Sequence, residues 1–337
     1  MLRVFEAFAG YGSQSIALRN LGIEYEVVAI SEIDKYAIKA YEAIHGPTNN
    51  LGDICKIDPN DIPDHDLFTY SFPCQDLSVA GKQVGLGKGT RSGLLYECEK
   101  VIEAKKPKYL LLENVKNLVG KKFKPQFDEW LVYLESLGYT NYWKILNAKD
   151  YGVPQNRERV FVVSILGEHE PYEFPKPIKL NKYVKDILEN TVDNKYYLGK
   201  TKDFFIKNSF SMEEKGNGFR FTPLVRENAQ IAKTITTKAG SRMDDNFIID
   251  IESNQEKFEF SSKNKRLFEI NNNDFRIRKL TPRECFRLMG MRDDDIDKIQ
   301  QVGISNTQQY KMAGNSIVVN VLEAIFGELF DIKKKDK

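Results

Sequence analysis

The sequence predicts an α/β protein: one doubly wound parallel sheet with a smaller, irregular, β-rich domain set into the chain. Three observations carry this. Strand-like and helix-like stretches alternate from residue 2 to about residue 170, which is the rhythm of βαβ units. The first strand runs into a glycine turn, Phe8-Ala9-Gly10-Tyr11-Gly12-Ser13, and then into a helix. The rhythm stops at Pro171, Pro175 and Pro177, and prolines so closely spaced mark a boundary.

Leu2 to Phe8 reads as the first strand and Gln14 to Leu21 as the first helix. A strand, a glycine turn and a helix open many phosphate- and cofactor-binding units, because glycine lets backbone approach a ligand closely. Glu26 to Ser31 is the second strand, and Glu32 follows it about 20 residues beyond Gly12. At that distance an acid reaches the ribose hydroxyls of a nucleoside cofactor; an acid favouring the N-terminus of the helix Lys35 to His45 is the lesser alternative. The glycines do not complete G-x-G-x-x-G, which argues against a nicotinamide dinucleotide. Asp53 could accept from an adenine amino group, but taken alone it reads first as a turn cap.

Leu67 to Ser71 is a short β-type run that stops at Pro73, and Cys74 follows directly. Proline fixes its own φ and extends the residue before it. The thiol is thus expected at a strand end, where open α/β sheets bind ligands; a buried apolar cysteine is the other reading. Residues 81 to 93 form a glycine-rich stretch with Lys82, Lys88 and Arg91. It has no hydrophobic period, so it reads as a long binding loop or lid. A helix from Leu94 to Lys105 leads to the apolar strand Tyr109 to Leu112, which ends at Glu113-Asn114-Val115. Half-buried at that tip, Glu113 would have a raised pKa and hold a proton near neutrality; capping a helix is its alternative role.

Gln126 to Leu137 reads as a helix, and Tyr142 to Asn147 and Val160 to Leu166 as strands. Between those strands, Gln155, Arg157 and Arg159 share one face of an extended segment. Two guanidinium groups on one face suit a phosphate or a base carbonyl. Residues 178 to 277 show no βα rhythm, and within them Ala232 to Gly240 alternates and ends in glycine. Order returns where Thr281, Pro282 and Glu284 fit the cap, first and third positions of a helix. The apolar stretch Ile317 to Phe330 is a closing helix that needs a surface to pack on.

Charge is uneven. Residues 175–280 carry 21 Lys and Arg against 15 Asp and Glu, and residues 1–174 carry 20 against 24. A basic segment fits a polyanion, although an excess this small also describes an ordinary surface. Cys55, Cys74, Cys98 and Cys285 form no C-x-x-C pair, and there are three histidines, so no metal site is expected. A reducing cytoplasm is the expected home. The N-terminus lacks the blocks of a signal peptide, and no apolar run is expected to span a membrane.

In order and across nearly the whole chain, these pieces resemble the DNA cytosine-5 methyltransferases. The glycine turn is similar to the first motif of that family, Pro73-Cys74-Gln75 to its nucleophile motif, and Glu113-Asn114-Val115 to its Glu-Asn-Val. Gln155, Arg157 and Arg159 match its Gln-x-Arg-x-Arg. Arg278 to Glu284 resembles the stretch that orients the target-recognition domain, and Gly314-Asn315-Ser316 the last motif. Leu77 departs from a commoner Phe and touches packing only.

The resemblance implies a Rossmann-like S-adenosylmethionine-binding domain over residues 1–174 and 278–337, and a target-recognition domain over 175–277. It implies catalytic roles for Cys74, Glu113, Arg157 and Arg159. It implies S-adenosylmethionine contacts from Phe8, Ala9, Gly10, Gly12, Glu32, Ile33, Asp53, Ile54, Pro73, Leu94, Asn315 and Ser316. DNA contacts fall to Gln75, Ser78, Lys82, Arg91, Gln155 and Thr234. The implied substrate is double-stranded DNA, the expected state a monomer, and the implied companion a restriction endonuclease acting independently. Methylation of RNA, as by the tRNA-modifying relative of the family, and a catalytically silent DNA-binding regulator are the other readings of the same residues.

Overall fold

A computed structural model describes residues 1–73, 92–202, 204–205, 208, 221–251 and 275–332. Six strands form the main sheet: β1 (Leu2–Ala7), β2 (Tyr25–Ser31), β3 (Leu67–Tyr70), β4 (Tyr109–Val115), β5 (Tyr139–Asn147) and β7 (Glu158–Leu166), with the two-residue β6 (Gln155–Asn156) between the last two. Their order is β2-β1-β3-β4-β7-β5. The sequence reading of parallel strands holds except at β7, which runs antiparallel to both β4 and β5. Only residues 148–157 separate β5 from β7, too few for the helical crossover that parallel neighbours need.

The strands alternate between two cores. Val4, Leu67, Leu111, Phe161 and Val163 face one side, with α1 (Ser13–Leu21), α2 (Lys35–His45) and the C-terminal helices. Phe5, Phe68, Leu110, Leu112, Val160 and Val162 face the other, with α3 (Leu95–Lys105) and α4 (Lys124–Ser136). A strand buried on both faces reads as an unbroken apolar run, which is why Leu110 to Leu112 shows no alternation in sequence. The Thr281 capping box forms as the sequence predicts, with the hydroxyl accepting from Glu284 N. It starts α5 (Pro282–Arg287), which precedes α6 (Asp293–Gln301), α7 (Asn306–Asn315) and α8 (Val319–Leu329).

The stretch Asn306–Leu329 has the length and composition of a membrane-crossing segment, contrary to the sequence expectation. It divides at residues 316–318, and Val319, Leu322, Ile325 and Phe326 of α8 lie buried in the core with α1. It is a core element.

The 175–277 segment has a small sheet of its own, β8 (Leu224–Val225), β10 (Phe247–Ile251) and β11 (Phe275–Lys279), ordered β11-β10-β8. Phe205, Phe221, Phe247 and Phe275 close a satellite core on it. Val184, Ile187, Ala229, Ala232 and Ile235 instead join the large core. β9 (Ala232–Lys233) pairs in parallel with β6, so the basic segment is stitched to the sheet domain by backbone. Arg278 is fully buried and bridges Asp250 on β10 to Glu284 on α5.

Candidate active site

Glu113 and Arg159 come from neighbouring strands. The β4–β7 register sets Glu113 opposite Phe161 and Val115 opposite Arg159, so the two are diagonal neighbours on one face. Arg159 Nε lies 3.2 Å from Glu113 Oε1. Glu113 is 8% exposed. Burial pushes its pKa above the ordinary carboxylate value; the cationic charges of Arg159 and Arg157 pull the other way and do not cancel it. The carboxyl therefore holds its proton to higher pH than a free glutamate.

Asn114 ties this tip to the next strand. Its Nδ2 donates to the carbonyl of Phe72 at 3.1 Å, and its Oδ1 accepts from Val115 N. Phe72 and Pro73, the two residues before Cys74, are thereby held at the tip that carries Glu113. Cys74, Gln75, Ser78, Lys82 and Arg91 lie outside the described residues.

A cavity of about 300 Å³ opens beside the ion pair. Arg159 and Thr234 line it, with Val115, Lys116, Asn117, Asn156 and Glu158. Thr234, on the basic segment, donates its hydroxyl to Asn156 O at 2.8 Å.

Gln155 and Arg157 are not placed as the resemblance implies. Gln155 is 0% exposed. Its Nε2 donates to Leu288 O and its Oε1 accepts from Ile235 N at 2.8 Å, so it presents nothing to a nucleic acid. Arg157 is buried as well, and donates to the carbonyls of Ile235, Gly314 and Ser316. A guanidinium spread over three carbonyls is a strut, not a group facing the cavity. The physical reason is β6: it leaves the β7 ladder to pair with β9, which turns that face inward. Of the three matched residues, Arg159 alone lines the cavity.

The other end of the crevice is made mostly of backbone. Phe8, Gly10 and Gly12 have φ of 56°, 59° and 80°, the left-handed region that only glycine enters without strain. A Cβ on Gly10 would meet nothing within 4 Å, so open space lies over the turn; one on Gly12 would sit 2.4 Å from His45 Nε2. Glu32 accepts from Gly10 N at 2.9 Å and from the N–H groups of Ile33 and Asp34. That bond joins the tips of β1 and β2. Ile33 is 74% exposed at this edge, an apolar face with no cover. Ala9 is buried. Asp53 caps a short turn by accepting from Cys55 N. Ile54 is buried in the second core, and Leu94 packs against that core. Asn315 ends α7, exposed, and Ser316 accepts from the hydroxyl of Tyr11 at 2.7 Å. The open turn, the acid across it and the bare apolar edge fit a nucleoside-bearing cofactor.

The whole-chain comparison decides the family. The model of the C-5 cytosine-specific DNA methylases matches residues 2–331. The chain belongs to that family. The type II methyltransferase M2.ScrFI of Lactococcus lactis subsp. cremoris is 42% identical over 98% of this chain and 99% of its own length. The type II methyltransferase M.NlaX of Neisseria lactamica is 35% identical over 96% and 95%. The solved structure of the S. pombe Dnmt2 methyltransferase superposes with a TM-score of 0.75 at 21% identity, covering 98% of this chain and 99% of that one; it supports the fold. This cytosine-5 DNA methylase is an enzyme whose methyl donor is S-adenosylmethionine.

Sequence reasoning missed several residues of the methylase. Lys116, Asn117, Asn156 and Glu158 line the cavity, and each directly adjoins a residue that was singled out or lies within three of it. Tyr11 sits inside the glycine turn, yet its ring is buried and its hydroxyl reaches Ser316. His45 packs under the turn with Nε2 3.1 Å from Tyr11 O. A carbonyl only accepts, so that nitrogen carries the hydrogen. Burial lowers the pKa of His45 to about 4, which keeps the ring neutral near pH 7.

Proposed function

We propose that this methylase transfers a methyl group to carbon 5 of a cytosine swung out of duplex DNA, through a covalent bond between Cys74 and carbon 6. The observation that carries the reading is the buried Glu113–Arg159 pair beside a cavity that Arg159 and Thr234 line together. Cytosine accepts a nucleophile at carbon 6 only when its ring is polarised. Glu113, kept protonated by burial, gives a proton to ring nitrogen 3. Arg159 donates to the base carbonyl oxygen. The Cys74 thiolate then adds to carbon 6, and carbon 5 becomes electron-rich. Once carbon 5 carries the methyl group, its proton passes to a base, the 5,6 double bond re-forms, the Cys74 thiolate leaves and the nitrogen 3 proton returns to Glu113.

The open glycine turn, Glu32 and Ile33 are the residues suited to hold S-adenosylmethionine, which supplies an electrophilic methyl group on a sulfonium. A paired base is out of reach inside the duplex, so extrusion is required, at about a few kcal/mol. We assign residues 175–277 to target recognition, with Thr234 at the pocket wall, and expect steeply salt-dependent binding. A monomer acting in a bacterial cytoplasm, beside an independent endonuclease of a restriction-modification pair, fits the type II relatives.

Transfer of labelled methyl to duplex DNA, with tRNA and single-stranded DNA as parallel substrates, tests the substrate class. Bisulfite sequencing of DNA from cells expressing the chain then gives the site. Cys74→Ser should abolish turnover while S-adenosylmethionine still binds. Turnover retained in that variant would rule out the covalent step.

A further inference from the structure

The strut made by Arg157 joins the two ends of the crevice. Its Nη1 donates to Ile235 O at 3.0 Å, and its Nη2 donates to Gly314 O at 3.1 Å and to Ser316 O at 2.8 Å. Ile235 follows Thr234, which lines the cavity, and its N–H is held by Gln155. Ser316 takes the hydroxyl of Tyr11 from inside the glycine turn. The two backbones also touch. A Cβ on Gly314 would lie 2.3 Å from Thr237 N and 2.4 Å from the carbonyl carbon of Thr236. The C-terminal end of α7 and the segment after β9 therefore cannot shift independently. Either they move together or the buried guanidinium loses its carbonyls, the Ile235 carbonyl buried and those of Gly314 and Ser316 partly so, and a buried donor is costly to leave bare.

We propose that Arg157 is a positioning residue through which occupancy of the cofactor turn tightens the wall of the base pocket, and occupancy of the pocket tightens the turn. This rests on the placement of cofactor and base under the proposed function. The relay runs Tyr11, Ser316, Arg157, Ile235, Thr234. Coupling of this kind is reciprocal: whatever factor one ligand gains from the other, the second gains from the first. Lysine keeps the charge at position 157 but not the flat fork that spans three carbonyls.

The test measures the dissociation constant of S-adenosylhomocysteine with and without a saturating duplex oligonucleotide that carries the methylated site. Wild type should bind at least ~5-fold tighter in the presence of the duplex. Arg157→Lys should bring that ratio below ~2-fold, while each ligand alone still binds. Tyr11→Phe removes only the hydroxyl at the far end of the relay, so it serves even where Arg157→Lys does not fold, and should also reduce the ratio. A merely structural role would lower both affinities and the melting temperature and leave the ratio intact. A wild-type ratio near one, or an undiminished ratio in Tyr11→Phe, overturns the relay and leaves the methylase reading standing. Failure of wild type to bind either ligand or to transfer methyl overturns that reading instead.

Discussion

The two ends of the crevice are built from different materials. At the tips of β1 and β2, backbone shapes the site: left-handed residues at 8, 10 and 12, N–H groups gathered on Glu32, open space above Gly10. At the tips of β4 and β7, side-chain charge shapes it: a buried carboxyl and a guanidinium set diagonally across one ladder. The first end is a form that any added atom fills. The second is an electrostatic balance that any change of protonation upsets. Variants that break one end should therefore differ in kind from variants that break the other.

Glu113→Gln should have the largest effect. It removes the transferable proton and keeps the shape, so kcat should fall ~10²- to 10⁴-fold while S-adenosylhomocysteine still binds. Loss of cofactor affinity in step with kcat would show that the two ends are not separable. Arg159→Gln comes next. Burial raises the Glu113 pKa and Arg159 opposes it. The acid is the form required, so the rate in wild type should fall as pH rises through that raised pKa. Without the Arg159 charge the alkaline limb should move to higher pH, although the rate itself drops. A limb that stays put or moves down would contradict the role of Glu113 as proton source.

Gly12→Ala should act at the other end and in another currency. Its methyl group meets the His45 ring at 2.4 Å, and φ is +80°. The left-handed strain alone is about 1–2 kcal/mol, seen as a lower melting temperature with weaker cofactor binding. Adding His45→Ala removes the nearer ring and leaves the backbone strain and the Tyr41 ring, 2.7 Å from the added methyl group. The share of the loss that the double variant recovers belongs to the His45 contact; no recovery would leave all of it to the backbone and the Tyr41 ring.

The same contrast governs how much was legible in the sequence. A glycine turn states its own geometry, because few other residues reach positive φ, and Glu32 lies at a fixed distance along the chain. That end could be read locally. Glu113 and Arg159 could each be seen as a charge at the end of an apolar run, but their meeting depends on the antiparallel β4–β7 register, 46 residues apart. Gln155 and Arg157 were misjudged for a related reason. Alternation set them on one face, but polar groups are seldom buried without partners, and theirs are backbone groups as far away as Leu288 and Ser316. Nothing near residue 157 announces them. The cap at Thr281 was readable because its donors and acceptors lie within three residues.

The smallest effect on turnover should come from Glu6, which shows what a buried acid costs where the site is built of backbone. It lies on β1 just below the glycine turn, fully buried, with Oε1 accepting from Ser15 Oγ at 2.8 Å and, among the described residues, no cation against it. Burial raises its pKa from 4.5 to about 7, and hydrogen bonds from Ser15 and Tyr41 oppose that rise. The folded state thus binds this proton more tightly than the unfolded chain. Its contribution to stability is complete below about pH 4.5, declines as pH rises and is lost above about pH 7. The difference amounts to on the order of 3 kcal/mol. Glu6→Gln keeps the protonated shape and cannot ionise. It should match wild type near pH 4.5 and exceed it at pH 8 in urea midpoint, with little change in turnover at pH 6. Glu113, buried to a similar degree, has Arg159 beside it, so Glu113→Gln should gain less stability at pH 8 than Glu6→Gln does. Equal gains at the two positions would mean that the guanidinium compensates nothing, and that the two ends bury their acids on the same terms.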